Sequence, residues 1–229
     1  MLRIPATLER MRDAVAVGNA AHGTVVVFVN CVDPLPRGHA ELPRRSRRIP
    51  ACRRVEQLLR ASMITFGIEP PTTPDARWCF DQYFAELNSR FDGGFDPGLT
   101  ISAHPKELSP PSGLLILGRL QGRPVGCGAL KFHKRQPAEL KRMWIAESAR
   151  GLGVGRRLLA ELERHARKAG VKVLRLETNR ALHEAIHLYK RSGYVEVGAF
   201  NAEPYAHHWF EKRLVLSDLR RNKNVQGRP

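Results

Sequence analysis

Apolar residues recur along this chain with two different periods, and the change from one to the other marks out its elements. Met63 to Ile68 is a short β-branched and aromatic run, which predicts a strand. From Ala76 to Phe91 the apolar positions return at helix spacing, and Pro74-Asp75 supplies a helix start. Leu114 to Leu120 and Val125 to Phe132 read as two strands, with Gln121-Gly122-Arg123-Pro124 as the turn of a hairpin. Leu140 to Ile145 makes a third strand. Gly153 to Ala169 is amphipathic, with Val154, Leu158, Leu162 and Ala166 on one stripe, Arg157, Glu161, Arg164 and Lys168 away from it, and Gly170 as its stop. A buried strand is expected at Val171 to Glu177, then a helix from Leu182 to Arg191 stopped by Gly193. Two last strands are expected at Tyr194 to Val197 and His207 to Leu214. Strands first in hairpins and then alternating with helices predict an α/β fold on a mixed sheet.

Upstream of residue 53 the pattern is thin. Leu8 to Val17 reads as one short helix and Thr24 to Val32 as one strand, too little apolar surface for an independent fold. Residues 33–50 combine four prolines with Arg44, Arg45, Arg47 and Arg48 and show no apolar period, as a linker does. The expected organisation is a basic, weakly structured extension over 1–52, an α/β domain over 53–214 and a basic tail over 215–229.

Composition narrows the function. The 229 residues carry 38 Lys+Arg against 22 Asp+Glu, a net charge of +16, with 42% hydrophobic residues; wholesale disorder is excluded. No run approaches about 18 uninterrupted apolar residues, which excludes a membrane-spanning helix. Cys31, Cys52, Cys79 and Cys127 are 21, 27 and 48 residues apart, matching neither a metal knuckle nor a dense disulfide framework. Asn19, His22 and Asn30 interrupt what would be the apolar part of a signal peptide, so a cytoplasmic protein with reduced thiols is expected.

The most informative stretch is Arg150-Gly151-Leu152-Gly153-Val154-Gly155-Arg156-Arg157, between a strand ending near Ile145 and a helix starting near Gly153. Glycines let a backbone approach a ligand closely, and the free N–H groups of a helix's first turn bind phosphate oxygens, helped by the helix dipole. Arg150, Arg156 and Arg157 add charge at the rim. No Gly-Lys-Ser/Thr follows, and Arg156 and Leu158 stand where a dinucleotide loop needs glycine, so nucleotide hydrolysis and hydride transfer lose ground.

This stretch resembles the acyl-CoA signature R/Q-x-x-G-x-G/A of the GNAT N-acetyltransferases, with Arg150, Gly153 and Gly155 in its fixed places. The flanks are similar to the family's as well: Glu139 to Ile145 before it, and Glu184-Ala-Ile-His-Leu-Tyr189 leading to Ser192-Gly193-Tyr194 after it. The likeness runs over about residues 63–214 and is close to the acetyltransferase half of proteins that fuse a MarR-type winged helix to this fold, although residues 1–50 show no winged helix. The resemblance implies a mixed, mostly antiparallel twisted sheet flanked by helices, with two central strands splayed apart. It implies acetyl-CoA as co-substrate, without metal, its pyrophosphate on the N–H groups of Gly151, Leu152, Gly153, Val154, Gly155 and Arg156. The pantetheine arm would pair with the backbone of Met143, Trp144 and Ile145, and a backbone N–H at a bulge in that strand would stabilise the oxyanion.

In that scheme the amine attacks directly, Glu139 is the candidate general base, Tyr189 protonates the departing thiolate, and Asn179 contacts the cofactor. Glu139 also has a plainer reading, pairing with Lys141 or Arg142 on an exposed face, and Asn179 another, ending its strand. The acceptor, a small-molecule or peptide amine, would sit among helix 76–91, the loop Phe91 to Ile101 and the segment Phe200 to His208, where Asp92, Asp96, Glu203 and Tyr205 could hold a cation. Exposed strand edges in such a fold can pair with a second copy to form a homodimer.

Two other readings compete. His183-Glu184-Ala185-Ile186-His187 spells a zinc-protease motif, but Ala185 and Tyr189 already belong to the acetyltransferase pattern and no further ligand follows at the expected spacing. The positive charge attracts phosphates without naming any sequence-reading element. The alternative function is a basic, nucleic-acid-associated regulatory protein of the same fold that binds acyl-CoA without turning it over.

Overall fold

The computed structural model describes residues 15–20, 23–27, 57, 59–101, 103–134 and 137–214. The chain divides into two compact units, Met1–Ser62 and Met63–Pro229. In the first, β1 (Val15–Ala20) and β2 (Gly23–Val27) form an antiparallel pair with Val15 opposite Val27 and Val17 opposite Val25. The helix expected over Leu8 to Val17 is thus corrected at residues 15–17, where β-branched Val15 and Val17 favour extended backbone. Residues 8–14, the linker 33–50 and the tail 215–229 lie outside the described residues, as do Cys31 and Cys52.

The second unit is built on seven strands in the order β3-β4-β5-β6-β7-β9-β8, namely β3 (Ile64–Ile68), β4 (Gly113–Leu120), β5 (Arg123–Lys131), β6 (Ala138–Ile145), β7 (Val173–Thr178), β8 (Val195–Val197) and β9 (His208–Arg213). Every neighbouring pair is antiparallel except β6–β7. Among its described residues three α-helices complete it: α1 (Pro74–Arg90), α2 (Val154–Lys168) and α3 (His183–Arg191). Thr73 caps α1 by accepting from Ala76 N, with Pro74 at the first helical position.

Leu114 to Leu117 are all buried because both faces of the sheet are covered. Leu115 and Leu117, with Cys127 and Ala129, face the cluster that α1 joins through Ala76, Cys79 and Phe80. Leu114 and Ile116, with Leu130 and Leu140, face the cluster that α2 joins through Leu158, Leu159 and Leu162. The hairpin turn is shorter than its spelling suggests. Only Gln121 and Gly122 form it, both at positive φ, and β5 runs on through Pro124. Proline is tolerated there because the register slips at that point, Gly118 pairing with Gly126 and Arg119 with Pro124.

Candidate active site

The two central strands part company early. β6 pairs with β7 only at Ala138–Leu174 and Glu139–Arg175, and beyond these they diverge. On its other side β6 carries a bulge, where the pairing jumps from Ala129–Lys141 to Cys127–Trp144. Arg142 sits at the bulge with φ of 51°, a left-handed conformation uncommon for a residue with a Cβ, and its carbonyl accepts from the Cys127 thiol at 3.3 Å. Met143, Trp144 and Ile145 therefore border an opening in the sheet that has no β7 partner.

The chain leaves β6 through a short 3-10 turn, Glu147–Ala149, and enters α2 by the glycine stretch. Gly151 (φ 77°) and Gly153 (φ 72°) are left-handed with open space where a Cβ would stand, so backbone conformation rather than packing calls for glycine. Gly153 is the N-cap of α2 and offers no side chain to its first turn. The N–H groups from Gly151 to Arg156 find no hydrogen-bond acceptor among the described residues, and they lie at the positive end of the α2 dipole. Val154 anchors the turn from below, buried at 1% exposure.

Arg150 does something more specific than add charge to a rim. Its Nε donates to the carbonyl of Ile145 at 3.1 Å and its terminal nitrogen to Glu86 of α1, whose Oε2 also accepts from Trp144 Nε1 at 2.9 Å. The side chains of Arg150 and Trp144 thus tie the glycine turn and the end of β6 to α1. Tyr189, on α3, is buried among Tyr194 and Phe210. Burial pushes its hydroxyl well above the usual phenol range, so it carries its proton at neutral pH.

On the other side of the diverging strands lies a cavity of about 110 Å³. It is built from the three segments expected to hold the acceptor: α1, the loop after it and the segment between β8 and β9. Glu203 and Tyr205 line it; Asp92 and Asp96 do not. Asp96 Oδ1 instead accepts from Gly98 N at 2.7 Å, a local turn bond, while Asp92 is exposed 3.6 Å from Arg180. Glu177, Lys141 and Arg142 complete the polar wall.

Lys141 is buried and joins two carboxylates, Glu139 Oε2 at 3.1 Å and Glu177 Oε1. Burial alone would lower the Lys141 pKa, but Glu177 and Glu139 outweigh it and raise the value. Glu139 is buried as well and does not line the cavity; Arg175 holds its Oε1 at 2.8 Å. Burial pushes that carboxyl up, and Lys141 and Arg175 more than reverse the push, leaving it below the usual carboxylate range. Its pairing with Lys141 therefore takes place in the interior and not on an exposed face. Glu177 presents a different chemistry, for its Oε2 is buried without a hydrogen-bond partner among the described residues. An unpaired buried carboxylate oxygen on a cavity wall is a site for a proton donor.

Glu177 escaped the sequence reading, although it ends an alternating strand in which Leu174 and Leu176 are the buried partners. An acid at the last turn of such a strand, two residues before Asn179, was the available signal. Asn179 lines the same cavity, its Oδ1 accepting from Ala181 N at 2.9 Å and its Nδ2 donating to Tyr205 O at 2.7 Å. In the zinc-like motif His183 and His187 are exposed, and Glu184 is bound by Arg90 at 2.8 Å, which lowers its pKa. Among the described residues no three His, Cys, Asp or Glu side chains gather as a metal site. No helix among them is long and apolar enough to cross a membrane.

The chain is similar to known proteins in sequence and in fold. The chain is 38% identical over 99 residues to the IAA acetyltransferase of Azospirillum brasilense, covering 43% of this chain and 63% of that protein. It is 30% identical over 105 residues to an uncharacterized N-acetyltransferase of Schizosaccharomyces pombe, covering 45% and 61%. It thus spans less than two thirds of the length of both curated relatives. Among solved structures, a Klebsiella pneumoniae protein assigned to the acyl-CoA N-acyltransferases superposes with a TM-score of 0.56 at 32% identity, over 67% of this chain and 99% of that one. Residues 77–194, from α1 through the glycine turn to the end of α3, match the acetyltransferase (GNAT) family, and the chain belongs to that family.

Proposed function

We propose that the protein is an N-acetyltransferase that moves an acetyl group from acetyl-CoA to an amine by direct attack within a ternary complex. One conjunction carries the reading: the opening between β6 and β7 ends at the same strand terminus from which the Gly151–Arg156 turn offers its unused N–H groups. Acetyl-CoA supplies an activated thioester carbonyl. The N–H groups of Gly151, Leu152, Gly153, Val154, Gly155 and Arg156 hold its pyrophosphate, as backbone donors at a helix N-terminus do for phosphates. The unpaired edge of Met143 to Ile145 takes the pantetheine arm, and a backbone N–H at the bulge polarises the carbonyl oxygen.

Only a neutral amine attacks, so its proton must first be taken. Glu177 receives it on Oε2, while Lys141 orients the carboxylate through Oε1. Glu139 acts behind Lys141, as a positioning residue rather than as the base. Tyr189 gives its proton to the departing thiolate. Asn179 serves the acceptor side, where its amide joins β7 to the segment carrying Tyr205. The buried free thiols Cys79 and Cys127 suit a reducing, cytoplasmic setting.

Isothermal titration with acetyl-CoA, and separately with CoA, tests the cofactor site in wild type and Gly153→Glu. The variant forces a side chain into a left-handed turn and sets a carboxylate against phosphate. Wild type is expected to bind in the roughly micromolar range and the variant not at all, with its circular dichroism unchanged. Absence of binding in wild type would sink the transfer reading.

A further inference from the structure

Two segments that line the acceptor cavity, the loop after α1 and the segment between β8 and β9, are bonded to each other: Asp96 N donates to Tyr205 Oη at 2.9 Å, and Ile101 N donates to Glu203 Oε2 at 2.8 Å. The Tyr205 ring packs on Phe95 at 5.0 Å and on Phe91 at 5.7 Å. From below, Asn179 Nδ2 holds the Tyr205 carbonyl. An extended peptide is recognised by main-chain hydrogen bonds along a groove. Here the backbone donors that would line such a groove, those of Asp96 and Ile101, are already engaged with the opposite loop.

Five aromatic side chains gather on one part of the wall. Phe84 stacks on Phe95 at 5.7 Å with 17° between the rings, and Phe91 meets Phe95 edge-on at 5.8 Å. Tyr83 and Tyr205 extend this surface. Of the charged groups, Lys141 is matched by Glu177, and the Arg142 guanidinium lies over Phe80 and Phe84 at 4.5 and 5.2 Å while donating to the Ala103 carbonyl. Glu203 is engaged by Ile101 N. Glu177, whose Oε2 is buried without a hydrogen-bond partner among the described residues, remains as the charged side chain with an unmatched oxygen on a wall that also carries Tyr83, Thr178 and Asn179, a lining of apolar groups with a few placed polar ones as in a small-molecule pocket.

We infer that the acceptor is a small primary amine with an aromatic or similarly flat apolar body, taken between the two bonded segments, and not the N-terminus or lysine of a protein. The ring lies against Phe84, Phe91 and Phe95, and the ammonium group reaches Glu177 Oε2. In the transfer Glu177 takes one proton from the ammonium, the neutral nitrogen bonds to the thioester carbon, the carbon–sulfur bond breaks and the thiolate takes a proton from Tyr189. The second proton lost by the nitrogen as it becomes an amide restores Tyr189 through solvent, and Glu177 releases the first to solvent. This rests on the acetyltransferase reading above.

The test measures transfer from acetyl-CoA to 2-phenylethylamine, to spermidine and to a six-residue peptide with a free N-terminus, beside titration of acetyl-CoA and of 2-phenylethylamine alone. The expected result is a kcat/KM for 2-phenylethylamine at least tenfold above that for the other two. Phe95→Ala should raise the KM for 2-phenylethylamine about tenfold and leave acetyl-CoA binding unchanged. A Phe95→Ala circular dichroism spectrum that matches wild type, together with unchanged acetyl-CoA binding, separates loss of the ring from a folding defect. A peptide or spermidine preferred to 2-phenylethylamine overturns the inference, as does acetyl-CoA binding with no 2-phenylethylamine bound or acetylated. Binding of 2-phenylethylamine without acetyl-CoA binding would instead support this pocket and defeat the transfer reading.

Discussion

Lys141 stands between two buried carboxylates, and only one of them reaches the cavity. This asymmetry assigns the proton-accepting role to Glu177, and its removal has a defined signature. Glu177→Gln should lower kcat by about 10²–10⁴-fold with acetyl-CoA affinity unchanged. A loss under about tenfold would return the role to Glu139 or to water. Tyr189→Phe removes the proton that goes to the thiolate and should cut kcat by about 10², with less effect when a thioester of a more acidic thiol is the donor. The two residues also differ in how far the sequence discloses them. Tyr189 and the glycines sit in contiguous patterns whose meaning depends on one turn of backbone, so local spelling suffices. Glu177 owes its place to Lys141, 36 residues earlier on a strand that runs parallel and then diverges, a relation no local pattern contains.

Among elements, the same charges act as a clamp at the point where β6 and β7 separate. Glu139 bonds Arg175 across the last paired position, and Lys141 bonds Glu177 just beyond it. Lys141→Met would leave Glu177 buried without its cation while Glu139 keeps Arg175, and urea unfolding should show a loss of about 3–5 kcal/mol. The acid limb of stability follows from Glu139, which faces Lys141, Arg175 and, at 3.2 Å, His133. Its folded pKa is depressed, so in mild acid the unfolded chain binds the proton first. The stabilisation is therefore present above the unfolded carboxyl value and is lost as pH falls through the folded one. Stability measured from pH 6 to pH 3 should fall less steeply in Glu139→Gln than in wild type; equal slopes would remove this carboxyl from the account. Strand and helix positions were legible because period-two and helical patterns record which faces are buried, as Leu114 to Leu117 illustrate. The passage of β5 through Pro124 was not, since a bulge is a property of two strands in register. Nor were the short turns Pro105–Leu108 and Glu147–Ala149, which bury only Leu108 and Ala149.

For the molecule as a whole, charge and catalysis separate along the chain. Residues 1–70 hold eleven basic against six acidic side chains and residues 215–229 four against one, so half of the net +16 lies in the chain's ends. The residues placed here at the cofactor turn and the acceptor cavity all fall between Tyr83 and Ala206. A chain of this charge attracts polyanions non-specifically, by releasing counterions, with an affinity that falls steeply with salt. Transfer depends instead on hydrogen bonds made inside a cavity, where screening is weak. Binding to duplex DNA should therefore drop by about 10³ or more between roughly 50 and 200 mM salt if six or more phosphates are contacted, and should survive Gly153→Glu. The acetyl-transfer rate should change little over the same range and vanish in that variant. DNA binding that persists at high salt, distinguishes one duplex sequence from another, or is lost with the glycine turn would tie the two properties together and revive a regulatory role for the basic ends.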